Sequence, residues 1–367
     1  MSGYILNKVY GCLIGGAIGD AMGANVEGWN YWEIRNEYGG KLTELIACTR
    51  GSTNGLVGGI TDDTALRHYI ALAVIRKSGR ITPDDLAEIW LAKGHAIRLW
   101  SNERMVYEKL RWGANPWGSG AGAIKCGTAA MAISPVGIIN AGNPAQAFED
   151  GYLIGSVNQD GEERDAAGTL AAAVAAAFIP GANLQDVIEA MMKYSTYAFK
   201  RGIDFAMEMA VKSSNVDHFV EKFYESMIDW TWPRPANRVK EIPEGYPRKA
   251  KFYSGSSLEM IPVTAALMYL CDGDVNSTII EGANFGRDCD TIASFAGSIL
   301  GALHGAETIK SEWVEVCERA NVDLFEELEG DKTASFRITA CRLVDALRAE
   351  KESARRRLEM LEKMFEL

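Results

Sequence analysis

Gly11, Gly15, Gly19 and Gly23 recur every four residues within GCLIGGAIGDAMG, near the start of the chain. Glycine inside a helix costs about 1 kcal/mol relative to alanine, so a row of four on one face needs a compensating contact. A second backbone packed closely along that stripe supplies one. The helix reads over residues 4–28, and the fold is expected to be built on its tight pairing with another element.

The most chemically dense stretch is GRDCDTIASFAGSILGALHG, residues 286–305. Asp288, Asp290 and Thr291 fall within four positions, and Ile292, Phe295, Ala296, Ile299, Leu300 and Leu303 then follow the spacing of one buried helical face. These acids stand where unpaired N–H groups and the helix dipole favour negative charge. A cap accounts for one of them and leaves Asp288 over.

Thr61-Asp62-Asp63-Thr64 repeats the arrangement ahead of Leu66, Tyr69, Ile70, Ala73 and Val74. Carboxylates and hydroxyls at this density repel one another unless a cation sits among them. Hard oxygen donors suit Mg²⁺, Mn²⁺ or Ca²⁺.

The remaining chain offers weaker signals. Asp20 and Glu27 lie two helical turns apart, and from the residues alone both are expected to be solvated. Thr82 and Pro83 start a helix whose Asp84 and Asp85 compensate its dipole. Trp112 and Trp117 flank the loop WGANPWGSGAG, and Trp117 is a candidate wall for a stacked base. Asn158 and Gln159 occupy a glycine-flanked turn that either faces the cavity or is only a turn. Residues 230–253 are rich in proline and carry Arg234, Arg238, Lys240, Arg248, Lys249 and Lys251, which makes them a candidate lid.

A formal net charge of −11 argues against a nucleic-acid scaffold, and no apolar run approaches the ~20 residues of a membrane span. Seven scattered cysteines without a C-x-x-C read as free thiols of a cytoplasmic protein. No extended alternating run interrupts the helical pattern, so a single all-α domain is expected over residues 1–335. Residues 336–367 form a charged amphipathic helix with Leu343, Leu347, Ala354, Leu358, Leu361 and Phe365 on its apolar stripe. That helix packs back on the body or joins a second subunit.

Three motifs therefore fall in one order: GCLIGGAIGDAMGANVEG at residues 11–28, GGITDDTAL at 58–66, and GRDCDTIASFAGSILGALHG at 286–305. In this the chain resembles the ADP-ribosylglycohydrolase family, which includes dinitrogenase-reductase-activating glycohydrolases and ADP-ribosylarginine hydrolases. The likeness runs from about Gly11 to about Gly305. It implies a compact orthogonal helical bundle around two Mg²⁺ or Mn²⁺ ions, with Thr61, Asp62, Asp63, Asp288, Asp290 and Thr291 as ligands.

The resemblance also assigns Glu27 to the site rather than to solvent. It implies hydrolysis of an N- or O-glycosidic bond of ADP-ribose, with a metal-bound water as nucleophile and Glu27 or Asp63 orienting or deprotonating it. Two features depart from the family. Gly127-Thr128-Ala129-Ala130-Met131-Ala132 stands where many members read N-G-A-A-M-R, and Val157-Asn158-Gln159 stands where others carry a T-H pair. Gly127, Thr128, Asn158 and Gln159 are thus candidate substrate contacts in an altered wall.

The expected partner is a small ribosyl or ADP-ribosyl compound, including one carried on a modified protein, with no nucleic-acid scaffold and no membrane. The alternatives are a nucleoside or nucleotide N-ribohydrolase on the same fold and a non-catalytic structural relative.

Overall fold

The computed structural model describes residues 3–48, 54–94, 99–227 and 255–366. The segment expected as a lid, residues 230–253 with its six basic side chains, lies outside the described residues.

Eighteen α-helices follow one another among the described residues, with two isolated β-bridges and no strand. The first nine are α1 (Gly3–Gly23), α2 (Tyr31–Tyr38), α3 (Asp62–Lys77), α4 (Pro83–Lys93), α5 (Ser101–Arg111), α6 (Thr128–Ala132), α7 (Ser134–Ile139), α8 (Pro144–Gly155) and α9 (Glu162–Ala177). There follow α10 (Leu184–Lys193), α11 (Tyr197–Lys212), α12 (Val216–Met227), α13 (Ser257–Leu270), α14 (Val275–Phe285), α15 (Cys289–His304), α16 (Ser311–Ala320), α17 (Val322–Glu329) and α18 (Phe336–Phe365). The expected all-α architecture is the one observed.

The glycine stripe meets a backbone, as its spacing requires, and that backbone is α15. A methyl group added at Gly15 would sit 2.4 Å from the Gly297 carbonyl oxygen, and one at Gly301 only 2.0 Å from that of Gly11. At the far end, a methyl on Gly23 would lie 2.3 Å from the Asp290 backbone. Close contact of α1 with α15 thus extends up to the first turn that carries the acids.

Every residue from Cys289 to Leu303 is buried. Fully covered Ile292, Phe295, Ile299 and Leu300 contribute about 1.5–3 kcal/mol each, against the cost of desolvating acids at the helix start. The alanine-rich α9 is buried over most of its length and packs on α8, α7 and α15.

Helix α1 ends at Gly23, five residues short of the expected range, because the chain breaks into turns over residues 24–28. Asp20 and Glu27 therefore do not share a helix face. The C-terminal α18 joins the core through Phe336, Ala340, Leu343 and Val344, and is exposed from residue 351 onward.

Candidate active site

Asp20 is the buried acid that organises the first cluster. The expectation that it is solvated is overturned, since none of it is exposed. Its carboxylate accepts from the Thr61 amide at 3.0 Å, the Thr64 amide at 3.1 Å and the Thr64 hydroxyl at 2.6 Å. A charge from α1 thus supplies the anionic cap of α3 that its own first turn would otherwise provide. The local N-cap is Thr61, whose hydroxyl accepts from the Asp63 amide at 3.3 Å. With those backbone donors so satisfied, the Asp63 carboxylate is not needed as a cap.

The second cluster is positioned by a short backbone clasp. The Gly28 amide donates to the Arg287 carbonyl at 2.6 Å, and Asn30 bridges Gly286. Arg287 takes a φ of 61° there, a left-handed conformation that costs a non-glycine residue roughly 1–2 kcal/mol. Its side chain is locked by Glu259 on α13 through bonds of 2.8 and 3.0 Å, both partners being fully buried. The clasp follows directly after Glu27, whose charge adds to burial in raising the carboxyls of Asp288 and Asp290 at the mouth of α15.

The two clusters meet. The Thr291 hydroxyl lies 3.5 Å from Asp63 Oδ2. Asp63 Oδ1 and Asp290 Oδ1 are buried without any hydrogen-bond partner. Burial and the neighbouring Asp20, Asp62 and Asp288 push the Asp63 carboxyl well up, with Arg67 acting in the opposite direction. Burial, Glu27 and Asp63 do the same to Asp290. Burial, Glu103 and Glu27 raise Asp62, and burial with Glu27 raises Asp288 to about 7. Burial is the larger cause at each of these carboxyls, and repulsion between neighbouring carboxylates adds to it.

Carboxylate and threonine oxygens are the hard donors that Mg²⁺ and Mn²⁺ take, and the two orphaned buried oxygens are what such an ion would satisfy. In that respect the residues fit. Among the described residues no three His, Cys, Asp or Glu side chains are gathered closely enough to hold an ion by themselves. The convergent set is carboxylates together with threonine hydroxyls.

A match to the family model for ADP-ribosylglycohydrolase extends over residues 1–352. The chain belongs to the ADP-ribosylglycohydrolase family. Two proteins are similar to this chain over most of their length. The uncharacterized protein YegU of Escherichia coli is 24% identical over 343 residues, covering 89% of this chain and 95% of YegU. An uncharacterized protein of Archaeoglobus fulgidus is 25% identical over 316 residues, covering 84% and 90%. A solved structure titled ADP-ribosylglycohydrolase-related protein complex superposes with a TM-score of 0.61 at 17% identity, over 94% of this chain and 98% of that one. That likeness shows the fold.

The remaining candidates of this family member fall outside the two acid clusters. Gln159 donates to Thr128 Oγ1 at 2.9 Å and to the Ile124 carbonyl at 3.0 Å, leaving its Oε1 buried and unpartnered. Gly127 donates its amide to the Gly255 carbonyl and caps α6. Asn158 lines a small, mostly apolar pocket with Leu66, Trp90 and Ile154. Trp117 gives its indole N–H to Asp84 at 2.7 Å and is half exposed on the α4 side. Asp84 is thus a tether for that loop as well as a first-turn acid.

Three neighbours escaped the sequence reading. Glu103 on α5 is fully buried, raises Asp62, and leaves Oε2 without a partner. Glu259, paired with Arg287, gave no pattern to read. Arg67, buried beneath the acids, bonds the Met131 carbonyl at 3.0 Å and the Ser294 hydroxyl. Its spacing four residues after Asp63, on one helical face, was the available signal. Gly16 makes room for it, since a methyl there would lie 2.4 Å from the guanidinium.

Proposed function

We propose that this family member hydrolyses a ribosyl glycosidic bond, most directly that of an ADP-ribosyl conjugate, with divalent cations as cofactors. The observation that carries the reading is the approach of Thr291 to Asp63, with the Oδ1 atoms of Asp63 and Asp290 buried and unpaired. Thr61, Asp62, Asp63, Asp288, Asp290 and Thr291 would hold two Mg²⁺ or Mn²⁺ ions. When bound, such ions grip a ribose diol and acidify a water.

The chain's own groups supply the rest. Glu27 or Asp63 orients the attacking water and accepts its proton as its oxygen bonds to the anomeric carbon. The bond to the leaving group breaks at the same carbon, and the leaving group departs with the electron pair and takes up the proton that the water gave to the carboxylate. Positive charge develops on the ribose ring in between, and the surrounding carboxylates stabilise it. Thr128 and Gln159 line the altered wall.

One observation favours a second reading, a nucleoside N-ribohydrolase. The buried arginines nearest the acids face inward, Arg67 to Ser294 and Met131, and Arg287 to Glu259. Neither is turned to a pyrophosphate. Incubation with Mg²⁺ or Mn²⁺ and a panel of ADP-ribosylated proteins and nucleosides separates the two. Release of ADP-ribose supports the first reading, release of free base alone supports the second, and no cation-dependent release of either refutes both.

A further inference from the structure

The final turns of α18 stand clear of the body. Residues 351–366 are exposed throughout, and Leu358 (56%), Leu361 (42%) and Phe365 (91%) offer apolar surface to solvent. They continue the heptad stripe whose earlier members, Ala340 and Val344, are buried against the body. Val344, Leu358 and Phe365 take one seam position, and Ala340, Leu347, Ala354 and Leu361 take the other. The family match ends at residue 352, where the helix leaves the body.

We propose that a second copy of this chain covers the seam, the two overhanging helices pairing antiparallel. Orientation follows from the body. The same stripe at Ala340 and Val344 is packed toward α1, α3 and α7, so a parallel pair would force both bodies onto the shared axis. An antiparallel pair sets each body beyond the other's helix.

Charge then selects the register. With the pair centred between Glu359 and Met360, Leu358 meets the partner's Leu361 and Ala354 meets the partner's Phe365. Arg355 flanks the partner's Glu362, twice by symmetry. A slip of one heptad towards the bodies sets Arg355 beside the partner's Arg355, and Arg357 beside the partner's Arg357. Opposite charges at these flanking positions are what specify partner and alignment in helix pairs. Arg355 now bonds Glu359 of its own helix at 3.0 Å. An exposed pair of that kind is weak and exchanges readily for a partner across the seam.

Sedimentation equilibrium of the intact chain over a wide concentration range tests the proposal. A monomer–dimer equilibrium is expected, and Leu358→Glu with Leu361→Glu should weaken it more than tenfold without shifting the thermal midpoint of the body. Arg355→Glu should weaken dimerisation, and adding Glu362→Arg should restore it. A mixture of Leu358→Cys and Leu361→Cys chains should cross-link faster than either alone. A monomer at every concentration, a dimer indifferent to the paired glutamates, or faster self-cross-linking of Leu358→Cys alone would overturn the proposal.

Discussion

The Thr291 hydroxyl stands 3.5 Å from Asp63 Oδ2, joining two helix starts that are 228 residues apart in the chain. Each helix brings buried acids to the junction; burial raises Asp63 and Asp290 most, and neighbouring carboxylates, Asp63 beside Asp290 among them, raise them further. Removing one charge should therefore have opposite effects on stability and on function. Asp290→Asn is expected to raise the thermal midpoint in chelator, to reduce stabilisation by Mn²⁺, and to lower turnover by about 10²-fold or more. A variant stabilised by Mn²⁺ as fully as the parent would show that Asp290 holds no ion.

The crossing of α1 with α15 leaves no room for a side chain. Gly297→Ala would place a methyl 2.1 Å from the Gly15 carbonyl oxygen. Because the clash is with backbone on both sides, the loss should be about 3 kcal/mol, at the upper end of overpacking effects. Gly118→Ala, where nothing lies within 4 Å, is the matched control and should stay within about 0.5 kcal/mol of the parent. Chemical denaturation measures both.

Glu103 makes a prediction with a definite sign. Burial raises its carboxyl above the ordinary 4.5, with Asn102 and Thr128 offsetting part of the rise. The folded state then holds this proton more tightly than the unfolded chain does. Stability from it is complete below 4.5 and is lost as pH rises through the raised folded value. Glu103→Gln should gain stability relative to the parent on going from acid to mildly alkaline solution. Parallel stability curves for the two proteins would rule this out.

Glu329 predicts the opposite slope. Burial alone would raise it, but His68 at 3.0 Å and the Arg342 guanidinium together hold it below 4.5. Its contribution is present above 4.5 and disappears as pH falls through the depressed folded value. Glu329→Gln should cost roughly 1.5–3 kcal/mol at neutral pH, with the gap to the parent closing in acid. Urea titrations at several pH values would show a constant gap if the ion pairing were irrelevant.

Helix content and the glycine-lined crossing were legible because both write themselves locally: a 3.6-residue apolar period, and glycine where a helix should avoid it. The two acid clusters were legible for the same reason, each standing at the start of an apolar helix. Their approach in space was not, because nothing in residues 61–64 specifies contact with residues 288–291; the family resemblance supplied that expectation. Asp20 was misread because its partners, the Thr61 and Thr64 amides and the Thr64 hydroxyl, lie some forty residues away. Glu103 and Glu259 carry no periodic or motif signal, and only burial distinguishes them from surface acids. The expected helix over residues 4–28 ran too far because the turns after Gly23 are set by the clasp to Arg287, a tertiary contact.

Counting bound Mn²⁺ per chain by equilibrium titration addresses the joined acid clusters most directly. Two ions should bind the parent protein, with Asp63→Ala and Asp290→Ala each losing at least one and keeping a folded circular-dichroism spectrum. Failure of the parent to bind Mn²⁺ or Mg²⁺ at millimolar concentration, or undiminished binding in both variants, would contradict a shared cation site between α3 and α15.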